Sequence, residues 1–573
     1  MNNKSNLFRS FDICWDLVIK DNLFGYESTY NCLLLDSYNW FMVEKSYKKF
    51  SPEIEFTDDT YVIIGSGVGG LTTAVFLAKA GKKVVILEQH YTPGGFTHTF
   101  KRRKGLVWDV GVHYVGNMEE DSGLRRIFNY LSDNKLEWDS MGDPYDVAYI
   151  GDRKFEFVSG KENFRNKFHQ YFPKDKHAID KYLELLQKST KKNLLYFVQK
   201  ALPGLLNIIL GPIFRRIQKP IASKTTYEVL SGITNNQELI AALCAQCGNY
   251  GLSPKESSFA SHCIVINHFM EGGYYPRGGA NRIHETIVDN LESLGVEVYI
   301  KANVEKIITK GKSVTGLLIN GKEFSCKKVI SNAGAYNTFK RLLDSSVSNN
   351  RIKDINKIDP STCHLCLYIG LDKGDEELKL PKYNIWWYAN KDTDAILNDK
   401  ANLSQDKLSF AYISFPSAKD SLWTVDHPDK ATIQLIGRAW YKDFREYEDK
   451  PWLNRGEEYN EIKEQFKKKG LSLLKELYPQ LKGHIIHAEV STPVSTRKFS
   501  NYNQGEIYGV THAPERYKTR ILRPRTHIKG LYLTGQDITL VGVGGAMGSG
   551  VLTATTIIKW NMSKQFKEIA AKY

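Results

Sequence analysis

The chain has 573 residues, 42% of them hydrophobic and 25% charged, so it is long enough for two or three domains and has an ordinary globular composition. Its net charge of +14 fits nucleic acid, a membrane surface or simple solubility, and with no nucleic-acid-binding motif alongside, nucleic acid ranks last. Eight cysteines at low density form no disulfide scaffold, which excludes a cystine-stapled module and fits a reducing compartment.

Residues 1–57 are aromatic-rich, carry charges every few positions and show no signal-peptide core, so they read as an N-terminal extension. Tyr61–Ile64 is a short apolar run that suits a buried parallel strand. Gly65, Gly67 and Gly70 follow at G-x-G-x-x-G spacing, with Gly69 between them, and a helix is expected over Leu71–Ala80. The first glycine permits a tight turn, the second lets backbone approach a pyrophosphate, and the third allows close helix–strand packing. The helix N-terminus then holds phosphate without a lysine. Val84–Leu87 reads as the next strand, closed by Glu88 and Gln89; a carboxylate there accepts from a ribose diol and repels a 2′-phosphate. With strand, helix, second strand and acid in register, the stretch is a dinucleotide site rather than a glycine-rich turn. Gly94-Gly95 offer another close backbone approach and favour FAD over NAD.

Residues 121–260 read as mostly helical and interrupt the dinucleotide domain. Within them "ALPGLLNIILGPIF" (201–214) is shorter than the ~20 apolar residues of a spanning helix and is broken by Pro203, Gly204, Gly211 and Pro212. It lies in a stretch without acidic residues, flanked by Lys188, Lys191, Lys192, Lys200, Arg215, Arg216, Lys219 and Lys224. That pattern suits a monotopic contact with anionic headgroups; a buried hairpin with a basic rim is the plainer alternative. Two C-x-x-C pairs, Cys244/Cys247 and Cys363/Cys366, lack the tight knuckle of a zinc site and read as core cysteines, with no metal expected. His262 and His268, in an apolar stretch, read as satisfied core histidines.

"YYPRGGANRI" (274–283) leads to a helix over 281–294, and 296–334 alternates like a meander ending in another strand-to-glycine junction. Residues 345–480 mix strands, "CHLCLYIGL" among them, with a charged helix over about 456–478. "GLYLTGQD" (530–537) reads as strand Leu531–Thr534 ending in Gly535, Gln536 and Asp537. A glycine-rich stretch, Gly542 to Gly550, then gives way to a helix-like run to Trp560. The expected fold is α/β: a Rossmann-like FAD-binding domain assembled from separated segments, with an inserted α+β substrate domain. The expected division is an FAD-binding part at 58–120, a helical substrate or membrane-contact insertion at 121–260, and a second FAD-binding part at 261–345. A β/α substrate part at 346–484 and a third FAD-binding part at 485–573 complete it.

The pieces "IIGSGVGGLTTAVFLAKAGKKVVILEQH", "GGFTHTF", "DVGVHYVG", "YYPRGGANRI" and "GLYLTGQDITLVGVGGAMGSGVLTA" together resemble the retinol saturase and carotenoid isomerase family of flavoproteins, in that family's order. "SFPSAKD" (414–420) and "LRPRTHIKGLYLTGQD" (522–537) look like its retinol saturase branch, and the similarity covers about residues 58–560. The resemblance implies a two-domain FAD enzyme acting on a conjugated isoprenoid lipid at a membrane. Carried over by position, Gly65, Gly67, Gly70, Glu88, Gly94 and Gly95 bind the ADP part, and Val304 holds adenine through backbone groups. Asp537 contacts the ribityl–pyrophosphate region, and Gly545 to Gly548, Met547 included, lie near the flavin. The family's commoner "DTG" stands here as Asp109-Val110-Gly111. A substrate does not transfer, since members handle retinoids, carotenes and other polyenes.

Saturating a carbon–carbon bond needs hydride at one carbon, which reduced flavin supplies, and a proton at the other. His113 and Tyr114 in "GVHYVG", and Tyr275 (with Tyr274 beside it) before "PRGG", are the candidate proton donors. Arg277 is expected to pair with the cofactor's phosphates. No second G-x-G-x-x-G unit is visible, so the flavin is expected to be reduced by transiently bound NAD(P)H or another carrier. The expected activity is reduction of a double bond in a retinoid-like or other polyene lipid, by an enzyme peripheral to a membrane and without nucleic-acid partners. The alternatives are a redox-neutral cis–trans isomerase, a desaturase, an amine oxidase, or a lipid-binding flavoprotein without activity.

Overall fold

The four apolar residues Tyr61–Ile64 need cover on both faces, and they obtain it at the middle of a six-stranded parallel sheet. Val84–Leu87 pairs on one side and Lys328–Ser331 on the other. Outside these stand Glu297–Ile300 and Lys48–Lys49 at one edge and Leu531–Leu533 at the other. Register ties distant chain together: Leu531 lies opposite Val329, and Val329 opposite Val62. The helix Val68–Lys79 forms the first crossover and buries Leu71, Val75 and Phe76 against the sheet.

The computed structural model describes residues 46–102, 105–202, 204–398, 407–559 and 561–573. Residues 1–45 of the expected extension, Pro203 and Trp560 lie outside them. The rest of that extension does not stand apart. Lys48 and Lys49 pair with Tyr299 and Ile300, so the sheet begins ahead of residue 58.

A second, seven-stranded sheet runs in the order Ile485–Ser491, Cys363–Leu371, Ala431–Ala439, Phe410–Ser414, Asn384–Tyr388, Asp146–Ile150, Arg153–Phe157. Its last hairpin falls within the stretch expected to be helical; the helix Gly123–Ser132 precedes it and the others follow from Lys161 onward. Cys363–Leu371 is buried along its length, and its period of two divides it. Leu365, Leu367 and Ile369 pack into a core with Phe466 and Leu474 of the helix Glu457–Leu477, whereas His364 and Tyr368 face a cavity.

Two expectations are corrected. The helix expected after the C-terminal glycines begins earlier, since Gly542–Ile558 contains them. Gly550 lets it lie against the first helix, since a Cβ there would come within 2.5 Å of Thr72 and 2.7 Å of the Gly69 carbonyl. Nor is 201–214 broken at Gly211 and Pro212, because one helix runs from Gly204 to Ala222 through Pro212 and Pro220. Both prolines are exposed, so the carbonyls they deprive of a donor lie on the outer side of the helix. Its inner side is held to the helix Lys176–Ala201 by bonds from Gln218 Nε2 to Asn193 Oδ1 (3.1 Å) and from Arg215 to Gln199 Oε1 (3.1 Å).

Candidate active site

The carboxyl ends of four parallel strands open on one cavity of roughly 600 Å³. Gly65 follows the first, Glu88 the second, Asn332 to Gly334 the third and Gly535 to Asp537 the fourth, and all line it. That is where an open α/β sheet binds its ligand.

Two helices begin at the same cavity. Val68–Lys79 starts after Gly67 with no side-chain cap and no acid in its first turn, and Gly542–Ile558 starts the same way after Val541. Their first N–H groups and positive dipole ends therefore favour a phosphate. The glycines around them are steric requirements. A Cβ on Gly69 would lie 2.8 Å from the Gly535 backbone, and one on Gly70 would lie 2.3 Å from the Gly65 carbonyl. Gly94, at φ +106°, has the His284 ring 2.5 Å from where its Cβ would be. Ser66 Oγ accepts from Gly94 N at 3.0 Å, and Gly67 and Gly94 form a parallel bridge, which holds the two loops side by side. This cradle fits the pyrophosphate of a flavin dinucleotide.

Glu88 is buried and lines the cavity, but much of its accepting capacity is in use. Oε2 accepts from Ser66 N (2.9 Å) and Ser66 Oγ (2.6 Å), and Oε1 accepts from His90 N (2.9 Å). Of a carboxylate's about four acceptor positions one is left for a ribose hydroxyl, not the pair a diol would need. Gln89, Gly95 and Val304 also line the cavity. Asp537 does so too, while its carboxylate accepts from Ala335 N (2.7 Å) and Val510 N (2.9 Å) and so clamps two loops.

Several nominated residues lie outside the cavity lining. Arg277 is drawn to the surface, donating to Asp139 (2.9 Å) and Glu137 (2.6 Å) rather than facing phosphates. Tyr114 donates to Asp146 (2.8 Å) and accepts from Asn249 (2.8 Å), and the Tyr275 hydroxyl donates to Asp109. Burial, and after it the carboxylate beside each, pushes both phenols far above their ordinary pKa, and with their hydroxyls committed to those carboxylates neither is a free proton donor. Gly545 and Met547 flank Ala546, which lines the cavity; Gly545 abuts the Leu540 carbonyl and Met547 is in the core. Gly70 lies outside the lining and packs against the Gly65 carbonyl.

His113 does line the cavity. Burial, and secondarily the Lys419 and His364 charges, hold its pKa down to about 3, so the ring is neutral near pH 7. His364, inconspicuous in sequence between two cysteines, stands in the same wall and is held at about 4 by burial. A histidine at an alternate position of an otherwise apolar strand was the available signal. Ladder register builds the wall around it: Arg438 lies opposite His364, Ile436 opposite Cys366 and Tyr412, and Tyr412 opposite Trp386. The cavity thus has a glycine-lined, anion-receiving end and an aromatic wall carrying two neutral imidazoles.

A profile of the family described as flavin containing amine oxidoreductase matches residues 68–359. The chain is 34% identical over 525 residues to the all-trans-retinol 13,14-reductase of Danio rerio, covering 87% of this chain and 85% of that one. It is 28% identical over 522 residues to a chloroplastic prolycopene isomerase of an Oncidium hybrid cultivar, covering 85% and 82%. In structure it is similar to an oxidoreductase from Methanosarcina mazei, with a TM-score of 0.58 at 16% identity over 87% of this chain and 100% of that one.

Proposed function

The chain belongs to the flavin containing amine oxidoreductase family as an FAD-dependent oxidoreductase, and from that premise we propose that it saturates a carbon–carbon double bond of a retinoid-like polyene lipid. The observation that carries this reading is the 34% identity, extending over 525 residues, to a retinol 13,14-reductase. The cavity wall supports it. Trp386, Tyr412, Phe410 and Ile436 offer an apolar surface to a polyene, while Arg438 in the same wall would repel the ammonium of an amine. Bound reduced flavin supplies the hydride. The chain's own task is to hold the polyene and exclude water while a proton reaches the second carbon, and His113 is the sequence-nominated residue that reaches the cavity. NAD(P)H is proposed as an external reductant of the flavin.

We place the enzyme at an anionic lipid surface, although no helix among the described residues is long and apolar enough to cross a membrane. Leu206, Ile209, Ile213 and Ile217 recur along one side of the helix Gly204–Ala222 and are all exposed, as is Ile208 at 72%. Leu194 and Val198 of the neighbouring helix are exposed as well. Lys191, Arg216, Lys219 and Lys224 stand around them, as headgroup contact requires. Lys200 does not belong to that rim: it is 5% exposed and donates inward to the Ile538 carbonyl at 2.6 Å. That bond fastens the helix pair to the segment leading into Gly542–Ile558, whose first turn lines the cavity.

Anaerobic incubation of photoreduced holoenzyme with all-trans-retinol tests the reading. A product two mass units heavier, formed as the flavin reoxidises, is the expected outcome. A redistributed isomer pattern with the flavin still reduced would instead establish the isomerase alternative, which the similarity to a prolycopene isomerase favours.

A further inference from the structure

We infer that His113 and His364 together anchor an oxygen atom at the end of the polyene, an alcohol, and thereby select which double bond is reduced. The inference rests on the polyene-reductase reading.

Both rings line the cavity, His364 from the strand Cys363–Leu371 and His113 from the loop after the strand Leu106–Asp109. The Tyr412 ring packs edge-to-face on His113 at 5.2 Å and fixes its plane. The His113 carbonyl accepts from Lys419 Nζ at 3.0 Å, which holds the backbone. In each ring Nδ1 is shut in with no hydrogen-bond partner. A buried N–H without an acceptor is rarer than a buried acceptor without a donor, so the assigned tautomer carries its proton on Nε2. Each ring then brings one neutral donor to the site, and an alcohol oxygen has two lone pairs to accept them.

The surroundings argue for an alcohol rather than a carboxylate. Both imidazoles are neutral near pH 7, and charge on His364 would work against charge on His113. Arg438, opposite His364 in the ladder, already donates to the Leu397 carbonyl at 2.6 Å and lies 3.9 Å from Glu256. Trp386 spends its indole N–H on Asp146 at 3.0 Å.

Regiochemistry follows from covalent structure. In an allylic alcohol the carbon bearing oxygen is bonded directly to the terminal double bond, so fixing the oxygen fixes that bond in the site. During reduction one alkene carbon receives hydride and the other a proton, the flavin is oxidised by two electrons, and the carbon–oxygen bond is untouched.

The test titrates oxidised holoenzyme with all-trans-retinol, with the same polyene ending in CH3, and with retinoate, following the flavin spectrum. Wild type should bind the alcohol about tenfold more tightly than the hydrocarbon, the ratio two neutral hydrogen bonds support. His364→Phe and His113→Phe should abolish that preference, and His364→Gln should restore part of it. Equal binding of alcohol and hydrocarbon by wild type, a preference surviving both Phe variants, or tighter binding of retinoate would each overturn the anchor. Should a Phe variant lose its flavin, the wild-type ratio decides. Equal binding with reduction intact sinks the anchor alone, whereas failure of every polyene to bind or be reduced overturns the functional reading with it.

Discussion

Three buried ionisable side chains, Asp109, Asp146 and Lys419, lie behind the wall that carries His113. Lys419 Nζ donates to the His113 carbonyl (3.0 Å), to Ser414 Oγ (2.7 Å) and to Asn384, whose own amide donates to Asp146 (2.9 Å). Burial pulls Lys419 down to about 7 although Asp146 and Asp109 pull it up. Between pH 7 and the ordinary 10.5 the unfolded chain therefore binds a proton at this lysine that the folded chain does not, and stability rises with pH across that window. The thermal midpoint of wild type minus that of Lys419→Met should grow from pH 7 to pH 10, and a flat difference would show that Lys419 keeps its ordinary affinity for protons. Little of this was legible from "SFPSAKD", because the partners of Lys419 other than Ser414 come from distant segments, His113 and Asn384. The glycines were legible, since spacing alone states what they must do. Tyr114 and Tyr275 were nominated for standing near glycine motifs, and only tertiary structure shows their hydroxyls committed to Asp146 and Asp109.

Helices show where local propensity misleads. Gly211 and Pro212 read as breakers, yet the segment is helical there because its inner side packs on the helix Lys176–Ala201 and its prolines face outward. The C-terminal glycines, expected ahead of a helix, lie within it where two helices touch, Gly550 against Thr72. Strand periodicity was more reliable: 296–334 is all strands and turns, but only Val304–Lys310, Ser313–Ile319 and Lys322–Ser325 form an antiparallel meander, while Glu297–Ile300 and Lys328–Ser331 join the parallel sheet. At this scale the lipid-surface proposal has its own test. Wild type should cosediment with phosphatidylserine-containing vesicles and less with neutral ones. Ile209→Ser/Ile213→Ser should weaken that binding at least about tenfold, since burying an aliphatic side chain is worth roughly 1.5–3 kcal/mol. Full retention of the double variant would remove this face as the contact.

At the scale of the whole molecule, the cofactor sheet takes its strands from residues 48–49, 61–64, 84–87, 297–300, 328–331 and 531–533, and four of those strands end at one cavity. The separated-segment architecture could be read in advance because each strand-to-glycine junction carries its own signature. The seven-stranded sheet could not, since its order depends on pairings between Asp146–Ile150 and Asn384–Tyr388 that no local pattern encodes. Such an arrangement serves to enclose a flavin dinucleotide between two uncapped helix ends. The purified full-length chain should show a flavin absorbance spectrum and release one FAD per chain on denaturation. A colourless protein that takes up no FAD on reconstitution with excess nucleotide would contradict it.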